Sequence, residues 1–326
     1  MRLLMLGGTE FVGRAITEDA LARGWDVTVF HRGRHAPPEG VRSLHGDRTA
    51  EGGLKALQGG KWDAVVDTWS GAPSAVRDAA RLLGEAGRYV YISSRSVYRF
   101  PTPLGLAEDA EVVDGSPDDG DVDYAAAKRG GELAALDVFG DKALLMRAGL
   151  ILGPYENIGR LPWWLTRIAQ GGRVLAPGPR DGGLQYIDVR DLATWTLNAV
   201  EQELAGPYNL VSPPGHTTMS ELLNACIQVT GSDAELVWTA PETILEAGIE
   251  PWMDLPIWIP PGEAYDTMHC ANVDKAVSAG LHCRPVRETV EDTWAWLRSI
   301  GGPAPRRPDR PAVGLSPETE ARVLDA

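Results

Sequence analysis

Tyr124 and Lys128 stand four residues apart at the opening of a helical pattern, and Ser94 follows the apolar run Tyr89-Val90-Tyr91-Ile92 further upstream. Residues four apart share one face of a helix, so the phenol and the ammonium sit one above the other. A phenol ordinarily titrates near ~10 and is a poor base at neutrality. A neighbouring ammonium favours the phenolate, and each unit gained is worth about 1.4 kcal/mol. A phenol tuned in this way exchanges a proton with a substrate hydroxyl or carbonyl. A serine hydroxyl can hydrogen-bond the same oxygen. The chemistry is proton transfer at a carbon-bound oxygen, and it needs a hydride carrier alongside. A Tyr-x-x-x-Lys pair alone arises by chance in many chains, so its weight depends on the elements around it.

The first of those elements is the start of the chain. Arg2-Leu3-Leu4-Met5-Leu6 is a short apolar run, suited to a strand buried on both faces. Gly7-Gly8-Thr9-Glu10-Phe11-Val12-Gly13 then opens a helical pattern to about Arg23, and Val27-Thr28-Val29-Phe30 follows Gly24. Strand, glycine turn, helix and strand within about thirty residues make a βαβ unit that seats a pyrophosphate at a helix N-terminus. The alternative is an ordinary tight turn. The spacing departs from the usual glycine triplet at its middle position, where Glu10 stands, and Gly8 is expected to let the backbone approach the phosphates instead. Thr9, Glu10, Phe11 and Val12 are candidate contacts with Gly7 and Gly13.

Further candidates lie at the ends of later strands, which point at the ligand in such a sheet. After the second strand comes His31-Arg32-Gly33-Arg34, with no acid to accept from a ribose. The cationic pair Arg32 and Arg34 suits a 2′-phosphate, so NADP is expected over NAD; otherwise both arginines are merely solvated. Val41 to Asp47 reads as a third strand. Asp47 either accepts from an adenine amino group or caps the next helix, with Arg48 beside it. Ala64-Val65-Val66-Asp67 is a fourth strand, ending at Thr68. The fifth ends in Ser93-Ser94-Arg95-Ser96. Ser93 is a cofactor candidate, Arg95 and Ser96 substrate candidates.

Residues 101–123 read as an exposed Pro-, Gly- and Asp-rich loop, and Ala143 to Arg147 as a sixth strand. The predicted architecture is α/β, a Rossmann-type doubly wound parallel sheet with a smaller C-terminal substrate lobe. Residues 1–150 form the dinucleotide-binding domain, with a strand and helix returning near 184–211. Residues 151–300 are mainly the substrate lobe, and 301–326 a Pro-rich linker with a short helix capped by Ser316. Trp69, Trp163, Trp164, Trp252 and Trp258 are expected near the pocket, or else as large core residues.

A formal charge of −14 argues against a nucleic-acid or anionic-membrane surface. Three scattered cysteines fit a reducing cytoplasm and form neither a disulfide framework nor a zinc site. No metal is expected, since His216 and His269 lack ligand spacing. Met1 leads straight into a strand and no long apolar run comes after it, so neither signal peptide nor membrane span is expected.

With these motifs assembled, the chain resembles the extended short-chain dehydrogenase/reductase superfamily in its NAD-dependent epimerase/dehydratase branch. The resemblance rests on Gly7–Gly13, Gly46-Asp47, Ser93 to Tyr98, Tyr124–Lys128, Arg147 to Pro154, Ile187 to Ala193 and Gly280 to Leu297. It implies a Ser94–Tyr124–Lys128 triad, Lys128 on the nicotinamide ribose, Asp47 near adenine, and a homodimer through the helices starting near Ser74 and Tyr124. Members acting on nucleotide sugars usually carry an arginine where Leu184 stands, with Arg173, Arg180 or Arg190 as possible substitutes here. The expected activity is therefore NAD(P)-dependent hydride transfer at a carbonyl or secondary alcohol of a small organic substrate. The alternatives are a nucleotide-sugar epimerase or dehydratase that retains its cofactor, and a non-catalytic NAD(P)-binding or RNA-associated regulator.

Overall fold

The computed structural model describes residues 1–325. The chain divides into two units. The first comprises 1–149, 189–211 and 272–282, and the second 150–188, 212–271 and 283 onwards. In chain order the elements are β1 (Arg2–Leu6), α1 (Phe11–Ala22), β2 (Asp26–His31), β3 (Arg42–His45), β4 (Ala64–Asp67), α2 (Pro73–Leu82), β5 (Tyr89–Ser94), α3 (Tyr124–Phe139) and β6 (Ala143–Ala148). There follow β7 (Leu150–Leu152), α4 (Arg160–Ala169), β8 (Arg173–Pro177), β9 (Gly183–Leu184), β10 (Tyr186–Asp188), α5 (Val189–Glu201) and β11 (Gly206–Leu210). The remainder is β12 (Thr217–Thr218), α6 (Met219–Thr230), β13 (Glu235–Thr239), α7 (Pro241–Glu246), α8 (Glu263–His269), α9 (Asp274–Ser278), α10 (Val286–Ile300) and α11 (Pro317–Leu324).

The first unit is a seven-stranded sheet in the order β11-β6-β5-β4-β1-β2-β3, and every pairing in it is parallel. The expected Rossmann-type α/β fold is therefore present. Parallel strands flanked by helices are buried on both faces, which explains their unbroken apolar runs. Leu4, Leu6, Val65, Tyr89, Tyr91 and Leu145 belong to the core packed with Val76 and Ala79 of α2 and Ala134 and Ala135 of α3. Alternate residues such as Leu3, Met5 and Val66 are equally buried and face the other way. Helix α1 packs on α5, and α2 on α3.

The second unit is built from short pieces. β8 and β13 pair in parallel, β7 pairs with β10, and β9 with β12. The segment read as one strand from Leu184 is thus two, which part at Gln185. That side chain is fully buried and bonds Ser212 O, Ala271 O and Ala271 N. β13 carries no apolar alternation strong enough to mark it beforehand.

Residues 301–325 pack within the second unit. Val313 and Leu315 are buried, and Leu315 joins the core of the second unit. The carboxylate of Glu320 on α11 takes Arg167 Nε at 2.6 Å and the Leu175 amide at 3.0 Å. Ser316 caps α11 through the Thr319 amide, as expected. Among the described residues no helix is long and apolar enough to cross a membrane.

Candidate active site

At the end of β1 the chain turns at Gly7, whose φ of +93° suits glycine. A Cβ on Gly13 would strike the Gly7 carbonyl, so the third glycine of the turn is obligatory. Gly8 also answers a packing demand. Its missing side chain faces the core, where a Cβ would lie 2.7 Å from Thr17 Oγ1 and 3.1 Å from Val29 Cγ2. Glu10 precedes α1 in extended conformation and does not cap it, and its carboxylate lies 3.6 Å from His35 Nε2. Phe11 enters the helix at φ +34°, a conformation unusual for an L side chain. Thr9, Phe11 and Val12 are half-buried along this turn. Thr68 Oγ1 lies 3.0 Å from Leu6 O and 3.2 Å from Gly7 O, propping the turn from β4. The cradle fits a pyrophosphate: its walls are backbone, and no side chain caps the helix end.

At the ends of β2 and β3 the expectations divide. His31 is buried; its Nδ1 accepts from the Gly33 amide at 3.2 Å, so in the neutral ring Nε2 donates to Ser43 Oγ at 3.1 Å. Burial, and then His45 at a ring separation of 4.6 Å, hold this imidazole below its usual range. The His31 ring therefore braces the turn after β2 against β3. Arg32 and Arg34 are exposed. Asp47 accepts from the Thr49 hydroxyl and amide at 2.6 and 3.0 Å, and these bonds hold its carboxyl low, with smaller contributions from Arg32 and Arg34. Two exposed arginines and an acid thus follow the ends of the neighbouring strands β2 and β3. Arg48 does not join them. Its guanidinium is buried in a bidentate pair with Asp67 at 2.7 and 2.8 Å and bonds Ala75 O, so the cofactor role expected for its side chain is displaced by a structural one.

The expected catalytic residues stand at the end of β5 and along α3, two elements that pack together. Asp123 caps α3 by accepting from the Ala125 and Ala126 amides, which fixes the helix start at Tyr124. Tyr124 is 39% exposed and Lys128 only 3%, so the phenol is accessible and the ammonium is enclosed. Lys128 Nζ donates to Ile92 O at 2.6 Å and Trp69 O at 2.7 Å, and lies 4.9 and 5.9 Å from the Tyr91 and Tyr124 ring centres. Gly131 permits this close approach, since a Cβ there would strike the Tyr91 ring. Ser94 is half-buried, and its Oγ accepts from the Ser96 amide at 3.1 Å, starting a short turn over Arg95–Val97.

Ser93 points the other way. Its Oγ donates to Glu132 Oε1 at 2.8 Å in a buried cluster with Arg147 and Arg129, so its side chain is no ligand contact. Sequence reasoning missed Glu132, although it lies four residues beyond Lys128 on the same helix face, and that spacing was its signal.

The tryptophans are mostly core. Trp164 and Trp258 are buried, with indole N–H groups on Pro256 O and Gly178 O, which overturns their expected pocket role. Trp163 lies edge-on to Trp164 and is packed by Gly314. Trp252 is stacked under Arg160. Trp69 is half-buried in the first unit beneath Arg48, near Lys128. Arg95 is buried and Ser96 exposed. Leu184 is buried, Arg173 reaches Leu324 O and Asp325, and Arg180 covers Trp238. Among the described residues no group of three acids, histidines or cysteines could hold a metal ion.

A parallel sheet in this order, with a backbone cradle after β1 and a Tyr–Lys helix beside β5, defines the extended short-chain dehydrogenase/reductase class of NAD-dependent enzymes. The model of the NAD dependent epimerase/dehydratase family matches residues 3–211, and the chain belongs to that family. It is 25% identical over 263 residues to the chloroplast stem-loop binding protein of 41 kDa b from Arabidopsis thaliana, covering 74% of this chain and 66% of that one. It is 29% identical over 258 residues to 2-alkyl-3-oxoalkanoate reductase from Stenotrophomonas maltophilia, covering 71% and 76%. In fold it is similar to UDP-glucose 4-epimerase of Thermus thermophilus in complex with NAD, with TM-score 0.60 and 22% identity over 91% of this chain and 99% of that one.

Proposed function

We propose that the chain is an NADP-preferring oxidoreductase that transfers hydride at a carbonyl or secondary-alcohol carbon of a small organic substrate. The observation that carries this reading is the enclosed Lys128 ammonium within 5.9 Å of the accessible Tyr124 ring, on the helix beside the end of β5. Bound across the strand ends, a nicotinamide would supply or take the hydride. Tyr124 moves the proton at the substrate oxygen, Ser94 orients that oxygen by a hydrogen bond, and Lys128 stabilises the phenolate and holds ribose. Gly7 to Gly13 hold the pyrophosphate, Asp47 the adenine, and Arg32 and Arg34 a 2′-phosphate. The likeness to a 3-oxoalkanoate reductase supports β-keto acids as the first substrate panel.

Two other readings belong to different classes. Cofactor-retaining epimerisation of a nucleotide sugar is favoured by the fold likeness to an epimerase, but Leu184 is buried where such enzymes usually present an arginine. RNA association is favoured by the relative named for stem-loop binding, but a charge of −14 opposes a phosphate backbone. The proposal further takes the chain to be cytoplasmic, in keeping with three free cysteines, and to form a homodimer through α2 and α3.

Equilibrium titration with NADPH and NADH tests the cofactor assignment. Replacing both Arg32 and Arg34 with Ser should weaken NADPH about 10- to 100-fold, the loss of charge-assisted contacts, and leave NADH within about twofold. Equal loss for both nucleotides, or for neither, would remove the 2′-phosphate assignment.

A further inference from the structure

We propose that the buried Arg48–Asp67 pair is a positioning device for Lys128, acting through the backbone of Trp69; this rests on the role given to Lys128 above. Asp67 closes β4 and is fully buried. Its Oδ1 accepts from Arg48 at 2.7 Å and from the Trp69 amide at 2.9 Å. Its Oδ2 accepts from Arg48 at 2.8 Å and from the Tyr89 hydroxyl at 2.6 Å. The Trp69 carbonyl in turn accepts from Lys128 Nζ at 2.7 Å and from the Tyr91 hydroxyl at 3.1 Å. The indole N–H closes the loop onto Ala72 O at 3.0 Å.

Lys128 therefore has two backbone anchors of different origin. Ile92 O belongs to β5 and is fixed by the sheet. Trp69 O belongs to a loop outside the sheet, and its place depends on what holds the loop. The hydrogen bond from the Trp69 amide to Asp67 is the hold on its backbone nearest the sheet, beside those of the Tyr91 hydroxyl and the indole N–H. Asp67 is itself immobilised by Arg48 and Tyr89. Stability alone does not call for such a pair, because a well-packed apolar pair serves a buried site as well or better. What an apolar pair lacks is an acceptor for the Trp69 amide.

Substituting Asp67 alone would strand Arg48 as an uncompensated buried charge, so the test uses two double variants. Arg48→Met with Asp67→Asn removes both charges and keeps an oxygen for the Trp69 amide. Arg48→Met with Asp67→Leu removes both charges and the oxygen. The first readout is the rate of reductive methylation at Lys128, followed by peptide mass spectrometry against exposed Lys61. The Leu double variant should be labelled about tenfold faster than wild type, and the Asn double variant within about twofold, the loss of one buried hydrogen bond. NADPH affinity, measured by fluorescence, should follow the same order.

Tyr89→Phe withdraws one bond from Asp67 and leaves the ion pair intact; it should raise the labelling rate about two- to threefold. Wild-type protection of Lys128 in the Leu double variant and in Tyr89→Phe would overturn the proposal. Equal loosening in the Asn and Leu double variants would also overturn it. Labelling needs no cofactor, so failure of the wild type to bind NADPH would count against the proposed function alone.

Discussion

Lys128 illustrates how much a single side chain's surroundings decide. Its ammonium is held by two carbonyl oxygens and two aromatic faces, so its charge is placed by geometry. The sequence announced this residue through its spacing from Tyr124, because helical periodicity is local. It could not announce the fate of Arg48. An arginine after a Gly-Asp strand end has the same appearance whether it meets a phosphate or a buried carboxylate nineteen residues later. Ser93 and Ser94 raise the same difficulty: neighbours on a strand face opposite ways, and only the packed helix tells which one meets Glu132. His31 yields a prediction at this scale. Its folded-state value lies below the ordinary 6.5, so the neutral ring favours folding. Its contribution is complete above 6.5 and is lost as the pH falls through the lower folded-state value. Melting temperatures should therefore drop on acidification before carboxylates with values near ~4 begin to titrate. His31→Gln should flatten that early part of the curve. An identical curve in the variant would show that the ring contributes nothing there.

Elements of the first unit were legible because each carried its own signal. Buried parallel strands appear as unbroken apolar runs, and the glycine turn, the Asp123 cap and the helix starts are local features. The second unit was less legible because its strands are two to five residues long and its contacts join distant segments. Trp164 and Trp258 could not be assigned to core or pocket from residue type, since an indole suits either until a carbonyl is found for its N–H. The anchor of the tail could not be read from the sequence, because Arg167 and Glu320 are 153 residues apart. Glu320→Ala should destabilise the protein by about 1–3 kcal/mol, the cost of leaving the buried Leu175 amide without its acceptor and the half-buried Arg167 without its carboxylate. Denaturant unfolding of the variant measures it, and a loss below about 1 kcal/mol, the range of surface pairs, would mean that α11 only rests on the surface. In the turn after β1, Gly13→Ala should cost about 1–3 kcal/mol and weaken nucleotide binding sharply, because the added methyl meets the Gly7 carbonyl. Unchanged NADPH affinity in a folded Gly13→Ala protein would place the nucleotide elsewhere.

Over the whole molecule, the net charge sets a requirement on the proposed cofactor site. A dinucleotide carries its own negative charge, so a chain of net −14 needs a local basic patch to hold it. Exposed Arg32 and Arg34 after β2 are the residues proposed to supply one. An epimerase and a reductase can share this fold, and what separates them is whether the cofactor is consumed. The central claim is that Tyr124, steadied by Lys128, moves the proton while hydride passes between a nicotinamide and a carbonyl carbon. The most direct test tracks nicotinamide absorbance with wild type and Tyr124→Phe across a panel of β-keto acids and simple ketones. Wild type should oxidise NADPH in proportion to product, and Tyr124→Phe should bind NADPH normally but turn over about 10²- to 10⁴-fold more slowly. Substrate turnover without net NADPH consumption, or a Tyr124→Phe rate equal to wild type, would contradict the account.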